Sequence, residues 1–133
     1  NERKVVMSRA KKAKETCMSN MYFVMEADGK ITHEEKIMFM AACKSLGITE
    51  EEAEAHIERV VSNPESLLGQ TTRPKGAEEC LKHLFASVMM MYADGHMHPE
   101  ELKWCQVYAA ALGIPKDTVS AMIEVVKKSK GRD

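Results

Sequence analysis

The feature that most constrains this chain is a repeat at a fixed offset of 66 residues. Met25-Glu26-Ala27-Asp28-Gly29-Lys30-Ile31-Thr32-His33-Glu34-Glu35 runs in step with Met91-Tyr92-Ala93-Asp94-Gly95-His96-Met97-His98-Pro99-Glu100-Glu101. The register continues without a gap through Leu46-Gly47-Ile48 against Leu112-Gly113-Ile114. It then passes through Ala55, Ile57, Glu58 and Val60 against Ala121, Ile123, Glu124 and Val126. A unit repeated at this spacing is a supersecondary block that cannot bury its apolar face alone, so the two copies are expected to share one core.

Punctuation and period together make each copy helical. Cys17, Met18, Met21, Val24 and Met25 recur at helical spacing before the first Asp-Gly, as do Leu81, Leu84, Phe85, Val88, Met91 and Tyr92 before the second. After the turns, Thr32-x-x-Glu35 is a capping box, and Pro99 stands where a first helical residue tolerates proline. Gly47 and Gly113 close these helices, each followed by an isoleucine. A third helix follows at once, opened by Thr49-x-x-Glu52 in one copy and by Pro115 in the other, with stripes Ala53, His56, Ile57, Val60 and Val119, Met122, Ile123, Val126. Residues 63–69 read as a short capped helix and 70–76 as a linking loop. Alternating β-branched runs are absent. The expected fold is all-α: a pseudo-symmetric bundle of about six to seven helices from two helix–acidic turn–helix repeats. The chain reads as one domain over 1–133, with repeat one about 15–62, a linker 63–76 and repeat two about 77–128.

Composition narrows function. The 19 basic and 20 acidic side chains nearly cancel to a formal charge of -1, which argues against nucleic acid as a partner. No run approaches the roughly 18 apolar residues of a membrane span, and no apolar signal core opens the chain, so a cytoplasmic protein with at most peripheral membrane contact is expected. That contact would use the basic stretch Arg3, Lys4, Arg9, Lys11, Lys12 and Lys14, which otherwise reads as the solvated face of the first helix. Cys17, Cys43, Cys80 and Cys105 are far apart and read as buried, reduced hydrophobes. No phosphate loop, nucleophile elbow or H-E-x-x-H occurs, and the expectation is a protein that is not an enzyme.

The acidic turns are the candidate site. Asp28 with Glu35, and Asp94 with Glu101, place two carboxylates where one helix ends and the next begins, and packing of the copies brings the possibility of four together. Such oxygens suit a divalent cation (Ca, Mg, Mn or Zn), and no other cofactor is indicated. Glu34, Glu100, His96 and His98 are secondary ligand candidates, the histidines being suited to zinc. The alternative reading is that the carboxylates are helix caps and the histidines turn residues. An ordinary EF-hand is excluded, because Val24, Glu26, Met90 and Tyr92 occupy the first and third loop positions that need oxygen ligands. Among the 11 methionines, Met89-Met90-Met91 spread over several helix faces, so Met89 and Met90 are candidates for docking an unidentified protein partner, with core filling as the default.

The pattern M-x-A-D-G-x-[IM]-x-x-E-E, with a following helix that ends in L-G-I, resembles the TerB-like family, whose namesake is a tellurite-resistance protein. The resemblance covers roughly residues 15–128. It implies an all-helical bundle with an internal duplication, divalent-cation binding at Asp28, Glu35, Asp94 and Glu101 with Glu34 and Glu100 beside them, and a part in tellurite-type or metal-ion stress response. The family also includes the N-terminal region of a membrane-anchored DnaJ-type co-chaperone, which implies the alternative of a non-catalytic accessory domain that binds proteins.

Overall fold

The computed structural model describes residues 2–27, 29–63, 72–93 and 97–129. Six helices fill them: α1 (Glu2–Glu26), α2 (His33–Ser45), α3 (Glu50–Ser62), α4 (Ala77–Met91), α5 (Pro99–Ala111) and α6 (Lys116–Ser129). The all-α bundle is as expected, and no strand occurs among the described residues. The expected short helix of 63–69 lies, apart from Asn63, outside them.

Local signals set the helix boundaries. Thr32 accepts from the Glu35 amide at 3.1 Å while its own N–H donates to Glu35 Oε1 at 2.8 Å, and Thr49 with Glu52 repeats this at 3.1 and 2.9 Å. At the other ends, Gly47 and Gly113 both adopt φ 76, the left-handed region that a side chain resists. Ile48 N–H reaches Cys43 O at 2.9 Å and Gly47 N–H reaches Lys44 O at 3.1 Å, and Ile114 and Gly113 copy this pair onto Ala109 and Ala110. These are Schellman closures, which satisfy carbonyls that a helix end leaves open. α2 and α5 therefore begin and end at positions 66 apart.

α1 and α4 form the centre and pack most extensively on each other; α5 and α3 lie on α1, while α2 and α6 lie on α4. Two buried hydrogen bonds give the direction of the central pair. Asn20 Nδ2 donates to Ser87 Oγ at 2.8 Å and Cys17 Sγ to His83 O at 3.5 Å, so residues 66–67 apart stay level along the two helices. α1 and α4 thus run parallel, and their last residues, Glu26 and Met91, lie toward the same end of the bundle. The core between them holds Met21, Val24, Leu84, Val88, Met90 and Met91, all at 0 % exposure.

The basic loop before α4 is strapped to α1. The Thr72 N–H donates to Thr16 Oγ1 at 3.1 Å and Arg9 Nε to Arg73 O at 3.2 Å. The Arg73 guanidinium then covers Gly113 at the C-terminus of α5, 3.4 Å from where a Cβ would stand. Lys14 Nζ covers Gly47 at the end of α2 in the same way, at 3.5 Å. Each cation faces the negative end of a helix dipole, a favourable placement.

Candidate functional site

Gly29 ends the first turn with φ 84 and an N–H bonded to Glu26 O at 2.8 Å. α2 starts three residues beyond Lys30, and its third residue is Glu35. In the second copy the His98 N–H donates to Glu101 Oε1 at 3.2 Å, so Glu101 also reaches back to the residue that precedes its helix. Asp28, Asp94 and His96 lie outside the described residues; no pairing of these aspartates with the glutamates is described. Glu34 and Glu100 point to solvent, as does His33, and His98 is half-buried. Among the described residues no group of three His, Cys, Asp or Glu side chains is spaced to hold a metal.

What separates Glu35 and Glu101 from ordinary caps is burial. Their exposures are 1 % and 0 %. Glu52 makes the same capping box at the start of α3 and is exposed, and its carboxyl is held below the usual carboxylate range by the backbone and hydroxyl bonds to Thr49. A cap is therefore complete without burial. Removing a carboxylate from water is costly unless something offsets its charge, and both buried glutamates have interactions beyond the cap.

All four cysteines are buried and free. Burial pushes the Cys17 and Cys43 thiols up to about 12 and raises Cys105 as well, which keeps them protonated, whereas metal ligation requires the thiolate.

The one arrangement that looks like a nucleophile and its base is Ser19 Oγ beside His56 Nε2, 2.7 Å apart and buried between α1 and α3. Its proton is in the wrong place. Arg59 Nη2 stands 3.2 Å from His56 Nδ1 and can only donate, so Nδ1 accepts and Nε2 carries the hydrogen toward Ser19. An imidazole that donates to the serine cannot also take the serine's proton. Arg59 is held in turn by Glu15 at 3.0 Å. His56 was expected only as a packing residue, and the sequence carries no signal for Ser19 and Glu15, which come from α1.

His56 and His83, at 1 % and 2 % exposure, are kept neutral. Burial lowers both, helped by Arg59 and opposed by Glu15 for His56, and helped by Lys14 and opposed by Glu79 for His83. The unfolded chain thus binds these protons more readily than the folded one. Their contribution is intact above the ordinary histidine value of 6.5 and is lost as pH falls below it toward the lowered folded values. A Tm series from pH 7.5 to about 5 should fall steeply below about 6.5, and His56→Gln with His83→Gln should flatten that limb.

Of the two methionines expected to dock a partner, Met90 is corrected: at 0 % exposure it is core between α4 and its neighbours and has no surface to offer. Met89 is half-buried and lines an apolar groove of about 650 Å³ beside α4. No helix among the described residues is long and apolar enough to cross a membrane. No protein-family model, curated protein or solved structure matches this chain.

Proposed function

We propose that this protein is a divalent-cation-binding helical module of TerB type, in which Glu35 and Glu101, with Asp28 and Asp94 of the adjoining turns, supply oxygen ligands. It binds and does not catalyse, in a cytoplasmic response to metal-ion or tellurite-type stress. The observation that carries this reading is the burial of Glu35 and Glu101 against the exposure of Glu52 in the same capping geometry. The parallel central helices add support, since the ends of α1 and α4, after which the acidic stretches follow in sequence, lie toward one end of the bundle. Hard divalent ions favour such carboxylate oxygens.

The test is a thermal melt of chelated protein with Ca, Mg, Mn or Zn titrated in. An ion that binds only the folded state is expected to add about 2.7 kcal/mol at a hundredfold excess over Kd, a saturable rise in Tm. Glu35→Gln with Glu101→Gln should abolish the rise, as should Asp28→Ala with Asp94→Ala, while Glu52→Gln retains it. A flat response to every ion at millimolar concentration sinks the reading and leaves the carboxylates as caps.

A further inference from the structure

Where the basic loop before α4 crosses α1, it helps to enclose a cavity of about 350 Å³ whose wall is mostly cationic. Arg9 and Lys14 reach it from α1, Lys75 from the loop, and Glu79 and His83 from successive turns of α4. Bonds on both sides hold the loop in place. Arg9 Nε donates to Arg73 O and the Thr72 N–H to Thr16 Oγ1 on the α1 side. On the α4 side the Cys80 thiol donates to the carbonyl of buried Pro74 at 3.7 Å. The cavity is therefore formed in advance, which spares a ligand the cost of ordering its walls.

The charges on this wall do not balance. Arg9, Lys14 and Lys75 stand against one carboxylate, Glu79, which also bonds Lys82 outside the cavity at 3.4 Å. Two positive charges are left over, and among the described residues no ion pair engages Arg9, Lys14 or Lys75. Arg9 uses only Nε on the loop, so its Nη groups are left to donate. The Lys14 ammonium rests over Gly47, yet its charge still acts on His83. His83 is a second and independent sign. It is 2 % exposed, and among the described residues neither ring nitrogen has a hydrogen bond: Nε2 stops 4.0 Å from Glu79 Oε2, and Nδ1 has no partner. A buried imidazole without a hydrogen bond is costly, and a ligand in the cavity whose wall it forms is placed to supply one.

We propose that this cavity binds a small phosphate monoester that carries a hydroxyl group. Arg9 and Lys75 hold the phosphate oxygens, Lys14 adds its field, and His83 donates to the phosphate through Nε2. Charge selects this class first: a phosphate monoester carries close to two negative charges at neutral pH, which matches the excess on the wall, whereas a single carboxylate would leave one cation over. Geometry agrees, because a guanidinium and an ammonium on separate elements approach a tetrahedral oxyanion from different directions, and such charge-assisted bonds are the strong ones. The volume lies at the low end for small-molecule sites, enough for a phosphate on a short body, and Glu79 is the acceptor for a hydroxyl on that body. Gly76 gives α4 no capping side chain, so the positive end of the helix dipole beside Lys75 adds to the potential. None of these residues belongs to the cation reading, and the two stand or fall separately.

The experiment is calorimetric titration of the full chain at neutral pH with glycerol 3-phosphate, and separately with phosphatidylcholine vesicles that contain phosphatidylinositol 4-phosphate. Saturable binding at or below millimolar concentration is expected, weakening as salt is raised. Binding of the soluble ester assigns the phosphate to a free small molecule; binding confined to the vesicles assigns the same group to a lipid headgroup. In either case Arg9→Gln with Lys75→Gln should weaken it at least tenfold with unchanged helical circular dichroism. Lys103→Gln with Lys128→Gln removes the same charge from exposed positions on α5 and α6 and should leave it as it was. NMR of the unaltered protein locates the site: the ring signals of His83, identified by their loss in His83→Gln, should move along the saturation curve while those of His56 stay in place. No saturable binding of either probe at millimolar concentration overturns the proposal. So does binding that is indifferent to the Arg9 and Lys75 changes, or weakened equally by those at Lys103 and Lys128, or that leaves the His83 signals unmoved.

Discussion

Leu84→Ala is expected to cost the fold about 2–5 kcal/mol, with a drop in Tm on the order of 10 °C. Leu84 is at 0 % exposure on α4, the helix that touches α1, α2, α5 and α6, so the lost side chain leaves a void inside the bundle. Relaxation into the void would have to move several helices together, and the cavity term adds to the lost transfer energy. The residue at the corresponding place in the first repeat is Met18, itself buried at 3 % exposure. Urea titration should show a lower midpoint with an unchanged slope. Val61→Ala, at a side chain 60 % exposed, should stay within about 0.5 kcal/mol.

The second large effect is expected at Trp104→Ala. Trp104 is half-buried on α5 and stacked on Phe23 of α1, and removing it takes out one of the two stacked rings. A loss of about 3 kcal/mol follows, the low end for an aromatic-to-alanine change because one side of the indole meets water. A double-mutant cycle with Phe23→Ala should return a coupling of about 0.5–1.5 kcal/mol, the part that belongs to ring stacking beyond area burial. Circular dichroism in urea is the right probe, since Trp104 is the sole tryptophan and its fluorescence leaves with it. Coupling near zero would mean that the two rings pack independently.

Much of the helix layout could be read from the residues. Thr32 with Glu35 and Thr49 with Glu52 act through atoms three residues apart, and Gly47 and Gly113 through their own backbone, so these signals operate wherever the chain ends up. Burial is a different kind of property. Glu35 and Glu52 share one local motif, yet one is sealed inside and the other is in water, because α2 and α3 meet different neighbours. No window of the sequence contains that difference. The Ser19–His56 bond spans 37 residues and the placement of Arg73 over Gly113 spans the linker, so neither has a periodic or spacing signature. The methionine run was ambiguous for a related reason. Met89 and Met90 are adjacent in sequence, and the helical turn between them sends one to a groove and the other to the core.

The exchange of partners between the two repeats also bears on how the chain is made. α1 packs more extensively on α4 and α5 than on α2, the helix that follows it in its own repeat. During synthesis the first repeat leaves the ribosome complete in sequence while most of its contact surface is still missing. Met18, Met21 and Val24, all buried in the finished bundle, have no α4 to cover them until the second repeat has been translated. The first repeat is therefore half of a folding unit, and its oily stripe has its full cover only when the second half arrives.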